Sequence, residues 1–231
     1  MLPIKLNKAT KISNFVEKLI PLIPSPLQQI IDIDTESAGI KLFLKREDLI
    51  HDYVSGNKWR KLKYNLLEAQ SLKFGTLLTF GGAYSNHLFA TAVAGKSMGF
   101  KTIGIIRGDE LEQKQLSPTL SFCKEQGMSL HFVSRSEYKQ RNDPEYLGHL
   151  KASFNNPYLI PEGGSSDLAL KGVAEMTWEV EKQLDVKPSW YATAVGTGGT
   201  AAGILSSGNK VLGFSALKGG DFLQDDIAQL L

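Results

Sequence analysis

The segment TLLTFGGAYSNHLFATAVAG, residues 76–95, joins an apolar run to a helix of small residues through a glycine turn. Thr76 to Phe80 is short and apolar, as in a buried strand, and a strand that leads through a turn into a helix is the repeating unit of α/β folds. Such folds bind ligands at the carboxyl ends of their strands, where Ser85, Asn86 and His87 fall. The alternative is that Ser85 or Asn86 only caps the helix and that His87 is an ordinary structural histidine.

The same alternation of strand and helix extends along the chain from about residue 41. A helix is predicted over residues 166–184, where apolar residues form a stripe. We therefore predict a three-layer α/β fold, with open parallel sheets and helices on both faces. The predicted strands are Lys41–Leu44, Thr76–Phe80, Lys101–Arg107, Ser129–Val133, Tyr158–Ile160, Trp190–Val195 and Lys210–Phe214.

Two domains are predicted from the polar, weakly periodic region 134–156 and the glycine turn that follows it. The smaller domain spans residues 52–157, and the larger, discontinuous domain is formed by residues 1–51 and 158–231. The chain stops at Leu231 soon after its last predicted strand, which suggests a fold truncated at the C-terminus. The alternative is a short C-terminal helix that ends there.

A lysine-rich turn, SGNKWRK at residues 55–61, precedes a second predicted helix. With Asn57 as the N-cap, Lys58, Lys61 and Asn65 share one helical face. Like charges and the positive end of the helix dipole lower the pKa of an amine there, which favours the neutral nucleophile that bonds to aldehydes. The alternative is a solvated basic first turn.

A second glycine turn, VGTGGT at residues 195–200, follows a predicted strand and opens a short helix. Backbone N–H groups in such a turn converge on an anion, and the helix N-terminus adds positive potential. The turn lacks the Lys-Ser/Thr pair of a nucleotide-binding P-loop, so a phosphate monoester suits it better. The candidate phosphate ligands are Gly196, Thr197, Gly198, Gly199 and Thr200.

Composition narrows the classes of function. The 231 residues are 42% hydrophobic, and 26 basic against 24 acidic side chains give a net charge of +2, which argues against nucleic acid or an anionic membrane surface as a partner. The single cysteine, Cys123, allows no intramolecular disulfide and is predicted to pack in the core rather than to act as a nucleophile. The first residues, with Lys5, Lys8 and Lys11, lack the core of a signal peptide. We predict a cytoplasmic protein with no membrane span and no metal site.

The three motifs, in this order, resemble the 1-aminocyclopropane-1-carboxylate deaminase / D-cysteine desulfhydrase family. They are Ser55-Gly56-Asn57-Lys58-x-Arg60-Lys61, Gly81-Gly82-x-x-Ser85-Asn86-His87 and Gly196-Thr197-Gly198-Gly199-Thr200. The family belongs to the fold-type II, tryptophan synthase β-like enzymes that use pyridoxal 5′-phosphate. The resemblance runs from about Lys45 to the end of the chain.

The resemblance implies a role for each matched residue. Lys58 bonds to the cofactor's aldehyde and later moves a proton of the substrate, while Lys61 and residues 196–200 bind the cofactor's phosphate. Asn86 hydrogen-bonds the cofactor's 3′-oxygen, and Ser85 meets the substrate carboxylate or acts as a nucleophile. The implied reaction converts a small amino acid to a 2-keto acid and ammonia, with release of sulfide from D-cysteine. Fold relatives are commonly homodimers.

Two alternatives stay open. A β-replacement enzyme of the cysteine-synthase kind shares the fold, although the Tyr84-Ser85-Asn86-His87 segment argues against it. A non-catalytic, truncated remnant would keep the turns without the chemistry. Members with established activity have Gln where this chain has Tyr84, so the identity of the substrate is left open.

Overall fold

A computed structural model describes residues 19–231 of the chain. In that part the strands are β1 (Leu27–Ile30), β2 (Leu42–Lys45), β3 (Thr76–Gly81), β4 (Lys101–Arg107), β5 (Met128–Val133), β6 (Tyr158–Leu159), β7 (Tyr191–Val195) and β8 (Val211–Ser215). The α-helices described below are α1 (Ile33–Ser37), α2 (Asn57–Ser71), α3 (Asn86–Met98), α4 (Pro118–Glu125), α5 (Arg135–Tyr138), α6 (Pro144–Ser153), α7 (Asp167–Leu184), α8 (Gly199–Ser206) and α9 (Leu223–Gln229).

A four-stranded parallel sheet in the order β5-β4-β3-β6 organises the middle of the chain. Side chains alternate between its two faces, because successive residues of a strand point in opposite directions. Leu77 packs against α2 and α3, whereas its neighbour Leu78 packs against α5 and α6. This arrangement confirms the predicted three-layer α/β architecture with helices on both faces.

A second, two-stranded parallel sheet is formed by β7 and β8. Helix α7 covers it through Val173, Met176 and Val180, which pack with Ile204 of α8. The predicted helix over residues 166–184 is confirmed as α7, with Ser166 as its N-cap. This sheet carries the VGTGGT turn at the end of β7.

One predicted strand does not join a parallel sheet. The segment at residues 41–44 forms β2, which pairs antiparallel with β1, a strand that the sequence pattern did not indicate. Connecting residues 31–41 hold only a five-residue helix, which is too short for the crossover that parallel strands require. The other predicted strands are confirmed within two residues of their predicted ends.

The polar region at residues 134–156 is more regular than its composition suggests. It contains α5 and α6, which bury Tyr138 and Leu150 against the central sheet. The next strand, β6, pairs with β3, so the central sheet reaches residue 159. Residues 1–18 of the predicted larger domain, including Lys5, Lys8 and Lys11, lie outside the described residues.

The lone cysteine lies in α4, on the face of this helix that packs in the core. Cys123 packs with Leu120 and Met128, and burial raises the pKa of its thiol to about 12. A thiol so buried is inert, which confirms its prediction as a core residue. Among residues 19–231, no helix is long and apolar enough to cross a membrane.

Candidate functional site

Helix α2 starts at a glycine with a positive φ. Gly56 is the N-cap at φ 61°, a conformation that side-chain-bearing residues rarely adopt. Asn57 is therefore the first helical residue, and its prediction as the N-cap is wrong. Its side chain instead donates from Nδ2 to Thr200 Oγ1 at 2.8 Å, which links the start of α2 to the VGTGGT turn.

Lys58 and Lys61 converge on one backbone carbonyl. Lys58 Nζ lies 3.4 Å and Lys61 Nζ 3.3 Å from the oxygen of Gly163. Lys61 Nζ also donates to Ser165 Oγ at 3.1 Å and to Thr197 Oγ1 at 3.4 Å. In the described part of the chain, no carboxylate lies within ion-pair distance of either amine. The predicted shared face is confirmed, and the solvated alternative is wrong because Lys61 is only 1% exposed.

Burial lowers the pKa of both amines. The pKa of Lys58 falls to about 8, and that of Lys61 falls well below its ordinary value through burial and then through the charge of Lys58. The expected neutral nucleophile is therefore produced mainly by desolvation of Lys58 rather than by its like-charged neighbour.

The VGTGGT turn closes the opposite side of a cavity of about 140 Å³. Its walls include Lys58, Lys61 and Asn57 together with residues 194–201. A Cβ on Gly199 would lie 2.7 Å from Lys61 Nζ and 2.5 Å from Ser165 Oγ, so only glycine lets the turn approach these groups. The structure thus places Lys58 and Lys61 beside all five candidate phosphate ligands, namely Gly196, Thr197, Gly198, Gly199 and Thr200.

A third turn belongs to this site although its sequence indicated only a domain boundary. Gly163 has φ 68°, and the carbonyl it presents is the one that both amines share. Two residues later, the hydroxyl of Ser165 lies 2.9 Å from Thr197 Oγ1. Before the turn, Glu162 is held by Tyr138 and Arg141, each at 2.6 Å. The adjacent glycines at residues 163–164 were the available signal in the sequence.

The Ser85-Asn86-His87 motif lies at the N-terminus of α3, outside the lining of this cavity. Ser85 is the N-cap, and its Oγ accepts a hydrogen bond from the backbone N–H of Leu88 at 3.2 Å. Asn86 is exposed, and the preceding Tyr84 is 76% exposed. His87 is buried, with Nε2 2.8 Å from Thr79 Oγ1. The capping interpretation of Ser85 is confirmed, and its catalytic role stays a prediction.

Arg60 lies between Lys58 and Lys61 in α2, but its partners are of a different kind. Arg60 is 1% exposed and donates to both oxygens of Glu47 and to both oxygens of Glu179, at 2.7 to 3.0 Å. Lys45 also pairs with Glu179 at 3.0 Å. This network ties α2 to the loop after β2 and to α7. It fixes the helix that carries Lys58.

Comparisons with known proteins converge on one family. The family described as "Pyridoxal-phosphate dependent enzyme" matches residues 20–210. A putative 1-aminocyclopropane-1-carboxylate deaminase from Pyrococcus abyssi is 34% identical over 194 residues, which cover 80% of this chain and 57% of the relative. The mitochondrial bifunctional D-cysteine desulfhydrase/1-aminocyclopropane-1-carboxylate deaminase of Arabidopsis thaliana is 34% identical over 212 residues, which cover 84% of this chain and 53% of the relative.

A solved structure agrees with these relatives. The crystal structure of a homologue of 1-aminocyclopropane-1-carboxylate deaminase superposes with a TM-score of 0.75 at 29% identity and covers 100% of this chain and 71% of the other. The chain thus spans little more than half the length of the curated relatives it matches.

Proposed function

The chain belongs to the family of pyridoxal-phosphate dependent enzymes, and on that premise we propose that it is a lyase or deaminase that uses pyridoxal 5′-phosphate. The proposed substrate is a small amino acid of the D-cysteine or 1-aminocyclopropane-1-carboxylate type. The products are a 2-keto acid and ammonia. The named activities of the relatives from Pyrococcus abyssi and Arabidopsis thaliana support this choice.

One observation carries the proposal: Lys58 and Lys61 are directed at a glycine turn and have only neutral oxygens as partners in the described chain. Two amines so placed favour an anionic ligand, because burying a cation without an opposite charge is costly. The close approach of Gly199 to Lys61 Nζ and Ser165 Oγ leaves no room there for a side chain. These residues fit the phosphate end of pyridoxal 5′-phosphate.

Residues of α2 and of the VGTGGT turn would bind that phosphate. Lys61 Nζ would supply the charge, and the hydroxyls of Thr197 and Thr200 would donate to phosphate oxygens. Backbone N–H groups at the start of α8 would add the positive end of the helix dipole. Asn57 holds Thr200 in place through their 2.8 Å hydrogen bond.

Lys58 would hold the cofactor's aldehyde through Nζ. When bound, pyridoxal 5′-phosphate supplies an electron sink that stabilises negative charge on the substrate's α-carbon. Because the pKa of Lys58 is lowered to about 8, its Nζ can both give and accept a proton near neutral pH. Lys58 Nζ would thus move the proton at the substrate's α- or β-carbon.

Ser85 and Asn86 have proposed roles on the substrate side. Asn86 is exposed at the start of α3 and is free to hydrogen-bond the cofactor's 3′-oxygen. Ser85 Oγ accepts from Leu88 N–H, which leaves its proton available to a substrate carboxylate. The same hydroxyl could act as the nucleophile in opening a cyclopropane ring.

The cofactor proposal is tested by trapping. Pyridoxal 5′-phosphate is added to the full chain, the adduct is reduced with borohydride, and the modified lysine is located by mass spectrometry. We expect modification of Lys58, loss of the adduct in Lys58→Ala, and no comparable adduct on Lys61. Adducts confined to exposed lysines such as Lys73 would overturn the proposal.

Activity is tested on the full chain with added pyridoxal 5′-phosphate and without borohydride. Ammonia and sulfide are measured with D-cysteine, L-cysteine and 1-aminocyclopropane-1-carboxylate, with Lys58→Ala as the blank. Keto acid and ammonia from one of these substrates would support the lyase. Turnover of L-cysteine or a derivative only when a second nucleophile is added would favour a β-replacement enzyme.

A second candidate is a non-catalytic protein that binds the phosphorylated cofactor. The observation that favours it is the position of Ser85 and Asn86, which do not line the cavity between α2 and the VGTGGT turn. Cofactor bound at Lys58 without turnover of any of the three substrates would select this candidate.

The organisation of the chain is also proposed. We propose a smaller domain at residues 52–157 and a larger one from residues 1–51 and 158–231. The pairing of β6 with β3 favours moving the boundary to residue 159. A homodimer is proposed because fold relatives are commonly dimers. A cytoplasmic location is proposed because the single cysteine is free. Sedimentation of the purified chain measures its oligomeric state.

A further inference from the structure

The hydrogen bonds of His87 fix which of its ring nitrogens carries a proton. His87 Nε2 lies 2.8 Å from Thr79 Oγ1, and Thr79 Oγ1 donates to the carbonyl oxygen of Ile160 at 2.8 Å. A threonine hydroxyl has one proton, and a carbonyl oxygen can only accept. The Thr79 oxygen must therefore accept from His87, so Nε2 carries the proton.

The other ring nitrogen is a bare acceptor. Burial, followed by the charges of Lys58 and Lys61, lowers the pKa of His87 well below its ordinary value, so the ring is neutral. With its proton on Nε2, the ring presents a lone pair at Nδ1. His87 is 2% exposed, and Nδ1 is buried with no hydrogen-bond partner among the described residues. Buried acceptors are rarely left unpaired without a reason.

The ring edge that carries Nδ1 faces the turn that both amines share. A Cβ built on Gly164 would lie 3.1 Å from His87 Cε1, 3.4 Å from His87 Nδ1 and 3.4 Å from Lys61 Cβ. The preceding residue, Gly163, gives its carbonyl oxygen to Lys58 and Lys61. The unpaired acceptor and the two amines therefore surround one glycine pair.

Of these two amines, Lys58 is the one with unused hydrogen-bond donors. Lys61 Nζ has three oxygen partners, at 3.3, 3.1 and 3.4 Å. A protonated Lys58 Nζ has three donors, and its one hydrogen bond within residues 19–231 is the 3.4 Å contact to Gly163. A donor with one long hydrogen bond and an acceptor with none thus lie beside the same turn.

We propose that the Lys58 ammonium, when it is not bonded to an aldehyde, can turn from its long contact with Gly163 and donate to His87 Nδ1. His87 is then a positioning residue that holds Lys58 in the site and sets its proton affinity. The inference rests on the proposed function of Lys58 but concerns the free amine alone. Among the described residues, the other amine at this turn is Lys61 on the same helix, while Glu162 beside the turn is occupied by Tyr138 and Arg141.

Two substitutions separate the roles of the two ring nitrogens. An asparagine amide occupies the place of Nδ1, whereas a glutamine amide reaches the place of Nε2. His87→Asn therefore retains an acceptor for Lys58 and loses the contact with Thr79. His87→Gln retains the contact with Thr79 and loses the acceptor. A residue that only packs the core would not distinguish the two changes.

The measurement is the pH dependence of Lys58 acetylation by acetic anhydride. The full chain is first freed of bound aldehyde with hydroxylamine, and tandem mass spectrometry resolves Lys58 from Lys61. Burial alone lowers the pKa of Lys58 to about 8, and a hydrogen bond from its ammonium to His87 should place the wild-type midpoint above that value. Because loss of one hydrogen bond disfavours the ammonium, we expect His87→Gln to lower the midpoint by about one pH unit and to raise labelling at pH 7 about five- to tenfold. His87→Asn should stay near the wild type.

The outcomes that overturn the inference are definite. Equal midpoints in the wild type and His87→Gln, or equal shifts in both variants, would show that Nδ1 does not receive Lys58. Exposed His149, changed to Gln, is the matched control and should leave the midpoint unchanged. If His87→Gln does not fold, Thr79→Val replaces it, since losing the acceptor at Nε2 frees the proton to move to Nδ1 and should shift the midpoint downward.

This test is independent of cofactor binding. A chain that fails to bind pyridoxal 5′-phosphate would overturn the proposed function while leaving the Lys58 midpoint measurable. A chain that binds the cofactor at Lys58 but shows no shift in His87→Gln would overturn only the role of His87.

Discussion

Arg60 and Lys61 are adjacent in α2 and equally buried, yet only one of them meets opposite charges. Each is 1% exposed. The Arg60 guanidinium meets two carboxylates, Glu47 and Glu179, whereas the Lys61 amine meets a carbonyl oxygen and two hydroxyls. A one-residue step along the helix thus separates a cation whose charge is matched inside the protein from a cation whose charge is not.

The charge of its partners decides whether a buried cation stabilises the fold or binds a ligand. A buried cation with carboxylate partners is complete, and it holds together the elements from which those partners come. A buried cation with only neutral partners lacks an opposite charge, which a ligand can bring. Neighbouring Lys58 also lacks a carboxylate partner among the described residues. The face of α2 that is directed toward the VGTGGT turn is therefore the one that favours an anion.

Removing the Arg60 charge should produce the largest effect. Arg60→Leu leaves the partly buried Glu47 and Glu179 without their main partner, so we expect the free energy of unfolding to fall by about 3–5 kcal/mol. Urea denaturation followed by circular dichroism measures this change. The control is Arg46, which is 31% exposed and pairs with Asp48, and Arg46→Leu should cost at most about 1 kcal/mol. Equal losses in the two variants would contradict the distinction drawn for Arg60.

Part of the fold follows from local sequence patterns, and part depends on contacts between distant segments. The strands and α7 follow from local apolar runs and periodicity, which pack as expected in the central sheet and beside β7. The antiparallel pairing of β1 with β2 does not, because β1 has only two apolar residues among four and its pairing depends on the length of a connection.

The candidate site divides in the same way. Lys58, Lys61 and the VGTGGT turn were identified because local spacing shows which groups share a face and which turns can receive an anion. The contribution of Gly163 and Ser165 was missed, since it depends on a turn that arrives from about 100 residues further along the chain. Local sequence likewise cannot show that Arg60, and not Lys61, meets the acids.

Removing the Lys61 amine should weaken anion binding without unfolding the protein. Lys61→Met deletes a charge-assisted hydrogen bond, so affinity for pyridoxal 5′-phosphate should fall by about 1.5–3 kcal/mol. In phosphate-free buffer the free energy of unfolding should fall by less than about 1 kcal/mol, because the lost charge had no acidic partner. Calorimetric titration and urea denaturation measure the two quantities. A loss of stability as large as that of Arg60→Leu would make Lys61 a structural cation.

Filling the space at Gly199 should act on the same site through shape. In Gly199→Ala the new Cβ would lie 2.5 Å from Ser165 Oγ and 2.7 Å from Lys61 Nζ, so these groups must move. We expect a loss of about 1–3 kcal/mol in stability, with weaker cofactor affinity. Gly148→Ala is the control, since its Cβ meets nothing within 4 Å in α6 and should stabilise the helix by about 0.5–1 kcal/mol. Unchanged affinity in Gly199→Ala would place the anion elsewhere.

The smallest effect is a pH dependence that only an unmatched cation produces. Burial lowers the pKa of Lys58 from 10.5 to about 8 in the folded chain, so the unfolded chain binds more protons between these values. Stability must then rise with pH in this window, and the Lys58 contribution between pH 8 and pH 9 is about 1 kcal/mol. Urea denaturation of the cofactor-free chain at both pH values measures the rise. It should be smaller by that amount in Lys58→Met, whereas an unchanged rise would mean that Lys58 is neutralised in the folded chain as Arg60 is.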